Sequence, residues 1–166
     1  MTYSKRSIAQ GLNREVTNLF KEAASTYKIL NVKEKLTYDD FLSDKMLIIK
    51  AIKTGIPYSF FELIQENSPF NENDWANFLD ISTKSLQRYK ISAKHFKPSQ
   101  SEKIIEMAEV INVGLEVFSN MEKFKLWLDT PNYALGTMKP MELLMDSYGK
   151  ELILSELTRI NYGIMV

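Results

Sequence analysis

The sequence predicts an all-α protein, and two observations carry that prediction. Alternation of β-branched and polar residues is scarce, while apolar residues recur at three- and four-residue spacing in nearly every segment. From Arg14 to Lys28, the set Val16, Leu19, Phe20, Ala23 and Tyr27 shares one helical face. The stretch from Asn31 to Asp40 keeps no sustained period and is expected to connect. A second helix starts near Ser43 or Asp44, turns Met46, Leu47, Ile49 and Ile52 inward, and stops at Gly55, the usual residue type past a helix end. Pro57 forbids continuation. A short helix from about Ser59 buries Phe60, Leu63 and Ile64 and ends ahead of Ser68 and Pro69.

Two short helices follow, Asp74 to Leu79 and Thr83 to Tyr89, joined by a tight turn at Asp80, Ile81 and Ser82. Trp75, Phe78, Leu79 and Leu86 point inward and Ser82 caps the second helix. Pro98 and Ser99 open a long helix to about Ser119 along the stripe Ile104, Ile105, Ala108, Ile111, Leu115 and Phe118. Met121 to Leu128 makes the next helix, ending before Pro131. Pro140 suits the first position of another, through about Ser147. The last helix runs from about Lys150 to Ile160 and stops at Gly163, leaving the apolar tail Ile164, Met165 and Val166.

Composition narrows the chemistry. At 166 residues, 45% hydrophobic and 25% charged, the chain buries enough surface to fold without a disulfide or a structural metal. It has no cysteine, which removes thiolate metal sites and cysteine nucleophiles and agrees with a reducing cytoplasm. The one histidine, His95, has no second imidazole or carboxylate pair nearby in sequence. Glu102, Glu106 and Glu109 recur at helical spacing, but without His or Asp partners they read as a solvated face. Neither a phosphate-cradling glycine loop nor a serine nucleophile elbow occurs. No catalytic residue, metal or cofactor is therefore expected. No run approaches the roughly 20 apolar residues of a membrane span, and the start of the chain is polar, so a cytoplasmic location without a membrane partner is expected.

The net charge of zero hides a division along the chain. Residues 1–61 carry +4, residues 62–80 carry −5, residues 81–103 carry +5 and residues 104–166 carry −4. Such asymmetry points to separate partners for separate regions. The segment from Asp74 to Tyr89 has the dimensions of a helix-turn-helix, whose second helix enters the DNA major groove. On that helix Ser82, Thr83, Lys84, Ser85, Gln87, Arg88 and Lys90 offer donors for base edges or phosphates, with Lys94 and Lys97 beyond. Any exposed helix after a turn is rich in such residues, and Asp74 and Asp80 must face away from phosphate for the DNA reading to hold.

The least ordinary segment is WLDTPNYALG at 127–136, followed by KPMELL, Gly149 and LTRINYG at 157–163. From the residues alone, Trp127 and Leu135 are core side chains and Pro131, Asn132 and Gly136 shape a turn. In this order, with IIEMAEVINVGLEVF and EKFKLWL upstream, the motifs resemble the toxin-binding domain of Xre/MbcA/ParS-type antitoxins. The resemblance covers roughly residues 45–166 and is strongest beyond Lys97. It implies an Xre-like helix-turn-helix region at 43–98, a small helical toxin-binding domain at 99–166, and an N-terminal helical extension at 1–42.

By the same resemblance the chain is the antitoxin of a type II toxin–antitoxin pair. It is expected to block a RES-domain toxin that depletes NAD, to bind operator DNA, to form a homodimer and to perform no chemistry itself. The resemblance assigns toxin binding to Trp127, Pro131, Asn132, Leu135, Arg159, Tyr162, Gly163, Ile164, Met165 and Val166, the tail reaching the entrance of the toxin's active site. For Arg159 the plain alternative is an ion pair with Glu156 or Glu151. Four departures from the family pattern stand out: Lys84 replaces an arginine, Thr137 a common second glycine, Asp146 a threonine, and Ser119 a glycine. A free-standing helix-turn-helix regulator is the alternative function.

Overall fold

The computed structural model describes residues 5–27 and 36–163. Among them the regular structure is helical: α1 (Lys5–Tyr27), α2 (Tyr38–Ser43), α3 (Lys45–Thr54), α4 (Tyr58–Glu66), α5 (Glu72–Phe78), α6 (Thr83–Ser92), α7 (Pro98–Phe118), α8 (Met121–Asp129), a 3-10 turn (Tyr133–Leu135), α9 (Pro140–Leu143) and α10 (Ser147–Asn161). The chain forms two compact units, Met1–Asn67 with Ser82–Ile105, and Ser68–Ile81 with Glu106–Val166. The division between them falls inside α7, between Ile105 and Glu106.

In the first unit, Leu12, Val16, Leu19 and Phe20 of α1 are buried, and α1 packs against α2 and α4. Phe20, Phe41 and Phe60 form a chain of rings with successive centroids 5.9 Å apart, a spacing that favours tilted aromatic pairs. The first half of α2 falls in the stretch expected to connect, and the rest precedes the helix expected from Ser43 or Asp44. The start of α2 is written in four residues: the Thr37 hydroxyl accepts from the Asp40 N–H and the Asp40 carboxylate accepts from the Thr37 N–H, both at 3.1 Å. That reciprocal cap satisfies two otherwise orphaned donors, and the Tyr38 N–H is held by Asn13 Oδ1 at 2.7 Å.

α1 begins well before Arg14, and the side chains of Ala23 and Tyr27, expected on its inner face, lie outside the described residues. α3 corrects the expected inner face: Ile48 and Ala51 are buried, while Met46 is 60% and Ile49 is 43% exposed. The run Lys45–Ile52 is apolar on several sides, so spacing alone does not select a face. Gly55 then adopts φ 88, with its α-hydrogen facing the Phe96 carbonyl; a Cβ there would stand 2.5 Å from that oxygen. The close approach lets Ile56 pair with Phe96, whose N–H donates to the Ile56 carbonyl at 2.8 Å. The buried Ser101 completes the joint, its hydroxyl accepting from Ile56 N–H at 2.9 Å and donating to the Phe96 carbonyl at 3.2 Å.

In the second unit, Phe70, Trp75 and Phe78 pack edge to face around α5, and the Trp75 indole N–H donates to Ser68 Oγ. α7 and α8 meet where Gly114 leaves room for the buried Phe124 ring; a Cβ on Gly114 would fall 2.2 Å from Phe124 Cζ. α9 is shorter than expected and α10 begins earlier, at Ser147, because Asp146 turns extended and restarts the helix as its N-cap. Gly149 lets α10 approach α9 so closely that a Cβ would lie 1.8 Å from the Leu143 carbonyl oxygen.

Candidate functional site

α6 owes its position to its apolar edge. Leu86 is 2% exposed, and the Tyr89 ring stacks on Phe96 at 4.3 Å while its hydroxyl donates to Gln100 Oε1 at 2.9 Å. With that edge fixed, Lys84, Gln87, Arg88 and Ile91 recur at positions i, i+3, i+4 and i+7 on the outward face, all exposed. The other candidates do local work as well. Ser82 Oγ caps α6 by accepting from the Ser85 N–H at 3.1 Å and shares a hydrogen bond with Ser85 Oγ at 3.0 Å. Thr83 is half-buried.

Lys90 lies off the outward stripe and pairs with Glu62 at 2.9 Å. The hydrogen bond and the charge of Glu62 raise the Lys90 ammonium above its ordinary value. The acidic stretch is likewise occupied locally. Asp74 closes a capping box with Asn71 at 2.8 and 3.0 Å on its own helix. His95 is exposed, its backbone paired with Pro57. Glu106 accepts from Ser147 Oγ and Glu109 holds Lys150, so both tie α7 to the first turn of α10. Among the described residues no group of three His, Asp or Glu could hold a metal ion, and no helix is long and apolar enough to cross a membrane.

The 127–138 segment is a closed loop built on Asn132. Its Oδ1 accepts from the Ala134 N–H at 2.9 Å, its carbonyl accepts from the N–H groups of Leu135 and Thr137, and its own N–H donates to the Met138 carbonyl at 3.0 Å. Leu135 is buried at 9% exposure and Pro131 is exposed. Trp127, half-buried, lies in an aromatic row with Phe118 and Phe124. Arg159 pairs with Glu156 at 3.3 Å, one of the two carboxylates named as its plain partners. Tyr162 is 75% exposed and Gly163 takes φ 67. Ile164, Met165 and Val166 lie outside the described residues.

Residues 47–109 match the family described as the antitoxin Xre-like helix-turn-helix domain, and residues 114–163 match the antitoxin Xre/MbcA/ParS C-terminal toxin-binding domain. The chain belongs to the Xre/MbcA/ParS antitoxin family. The antitoxin is 23% identical to Antitoxin Xre of Yersinia enterocolitica over 119 residues, 71% of this chain and 80% of that one. Its fold is similar to a chain in the crystal structure of the M. tuberculosis MbcT–MbcA toxin–antitoxin complex, with TM-score 0.54 and 21% identity, covering 64% of this chain and 94% of the other.

The antitoxin also exposes apolar side chains that its sequence does not single out. In α10, Gly149, Ile153 and Leu157 form the buried edge, while Tyr148, Leu152, Arg159 and Tyr162 fall along the opposite side, Tyr148 85% and Leu152 54% exposed. Leu126, Tyr133 and Met145 are exposed in the same unit. The available signal was the helical phase: once Gly149 is placed inside α10, Tyr148 and Leu152 fall on the outer side.

Proposed function

We propose that this antitoxin neutralises a RES-type, NAD-depleting toxin by steric blockade and represses its own operon by binding operator DNA, as a homodimer and without chemistry of its own. Residues 43–98 are the DNA-binding part and residues 99–166 the toxin-binding part. The observation that carries the reading is the pair of unlike outward faces. α6 presents Lys84, Gln87 and Arg88, donors suited to phosphates and base edges. α10 presents Tyr148, Leu152, Arg159 and Tyr162 on the way to the chain end, the aromatic and arginine composition of protein interfaces. The similar chain from M. tuberculosis, which belongs to a toxin–antitoxin complex, supports a protein partner for the second face.

Trp127, Leu135 and Asn132 support that face by holding the 127–138 loop, and the tail Ile164, Met165 and Val166 enters the toxin. Co-expression with the enzyme encoded beside it tests the proposal. The full chain copurifies with that enzyme and restores growth; removal of residues 164–166 loses the rescue while operator binding persists. A free-standing regulator copurifies with no enzyme and is indifferent to the truncation, and that result would overturn the toxin assignment.

A further inference from the structure

Ile91 is 86% exposed, more than any other large aliphatic side chain among the described residues. Single exposed aliphatics are ordinary on protein surfaces; the setting of this one is not. It completes the outward stripe of α6 after Lys84, Gln87 and Arg88, and it lies in the segment 81–103 that carries +5. Leu86 and Tyr89 fasten the opposite edge of the helix, so Ile91 cannot turn toward the core without unseating both. Being β-branched, it keeps one dominant rotamer in a helix and presents its methyl groups stiffly.

An apolar protein partner seated on Ile91 would have to strip water from Lys84 and Arg88 as well, a desolvation cost without compensation. A duplex meets all four side chains in kind. Its phosphates and base edges accept from Lys84, Gln87 and Arg88, and the one apolar group on any major-groove base edge is the thymine C5-methyl. Seven residues at about 1.5 Å each place Ile91 about 10 Å beyond Lys84 along the helix, roughly three base pairs at about 3.4 Å. We infer that Ile91 reads a thymine methyl group in the major groove, about three base pairs from the position met by Lys84. The inference rests on the DNA-binding reading above.

The test uses the full chain and the tightest duplex selected from a random pool, resynthesised with each thymine replaced singly by deoxyuridine, which removes only the methyl group. At one thymine, or one per half-site, the replacement weakens binding by the unaltered chain about fourfold, the worth of one buried methyl. Ile91→Ala weakens binding to the thymine duplex by at least the same factor, is blind to the replacement at that position, and keeps the salt slope, because an apolar contact releases no counterions. Three results overturn the inference. One is that no thymine methyl matters. Another is that Ile91→Ala lowers affinity equally for thymine and deoxyuridine duplexes. The third is that Ile91→Ala changes the oligomeric state and leaves thymine preference intact, which assigns the side chain to a contact between copies. If the unaltered chain selects no duplex, the DNA-binding reading falls and the inference with it.

Discussion

Gly149→Ala is a substitution whose sign separates tertiary geometry from helix propensity. In an isolated helix, alanine is favoured over glycine by about 1 kcal/mol. Here the new Cβ would stand 1.8 Å from the Leu143 carbonyl oxygen and 2.7 Å from its carbonyl carbon. The obstacle is backbone, so no rotamer change relieves it. A normal C···O contact is about 3.3 Å, which obliges α10 to retreat by about 1.5 Å. Ile153 and Leu157, both fully buried, sit on the edge that retreats, and Leu144 on the chain it leaves is fully buried too. A gap of 0.5–1 Å already forfeits a quarter to a half of the contact energy. Two aliphatic side chains worth about 1.5–3 kcal/mol each therefore lose about 2 kcal/mol between them, and displacement of the backbone adds about 1 kcal/mol of strain.

After the propensity gain, the expected net loss is about 2 kcal/mol. Urea unfolding followed by tryptophan fluorescence measures it cleanly, since both tryptophans, Trp75 and Trp127, belong to the unit that contains Gly149. The midpoint falls at unchanged m, and the thermal midpoint drops by about 4–8 °C for a chain of this length. Ser155→Ala, at an exposed position of the same helix, serves as the control and gains a few tenths of a kcal/mol. If Gly149→Ala also raises the midpoint, the close approach of α9 and α10 is wrong.

Three further outcomes are expected. Lys84→Ala and Arg88→Ala each reduce the salt slope of operator binding by about one unit, whereas Lys90→Ala, its ammonium held by Glu62, reduces it less, and Glu62→Gln steepens it by freeing Lys90; titrations at several salt concentrations separate the three lysine and arginine variants. Glu109→Gln leaves the Lys150 ammonium, 15% exposed, without its counter-charge and lowers stability by about 2 kcal/mol, while adding Lys150→Met recovers part of the loss in a double-mutant cycle. Ser119→Gly, at φ 53, stabilises the chain by about 0.5 kcal/mol in the same denaturation assay, because the strain it relieves exceeds the entropy it adds to the unfolded chain.

Legibility followed the strength of the local signals. The cap at Ser82, the long stripe of α7 and the proline at the start of α9 each have one structural answer, and each was readable from a few residues. α2 was not, since six residues are too few to establish a period, and only the Thr37–Asp40 pair announces them. α3 shows a different failure. Its helix was readable, but an apolar run on several sides leaves the buried face to be chosen by neighbours, which took Ile48 and Ala51 and left Met46 outside. The DNA-facing candidates were readable as a set and not as roles: only coordinates separate the outward Lys84, Gln87 and Arg88 from the capping Ser82 and the paired Lys90. Ile91 carries no polar chemistry, and its significance depends on the phase of a helix whose opposite edge is pinned.

Glycines and left-handed residues in the second unit divide by the physics that their positions require. At 119 and 137 the requirement is conformational. Ser119 and Thr137 adopt φ 53 and 64 with side chains in solvent, and each backbone N–H is satisfied, by the Leu115 carbonyl at 2.8 Å and the Asn132 carbonyl at 2.9 Å. A left-handed residue with a Cβ costs about 1–2 kcal/mol, a debt that a well-packed unit can carry. At 114 and 149 the requirement is space. There a Cβ meets the Phe124 ring, itself stacked on Phe118, or the Leu143 backbone, and neither can yield without opening the core. Conformational glycines are thus replaceable one at a time at modest cost, whereas spatial glycines set the distance between helices. On this argument Gly114→Ala resembles Gly149→Ala in sign and exceeds any strain carried at 119 or 137. An alanine at 114 that left the unfolding midpoint unchanged would mean that the Phe124 ring has somewhere else to go.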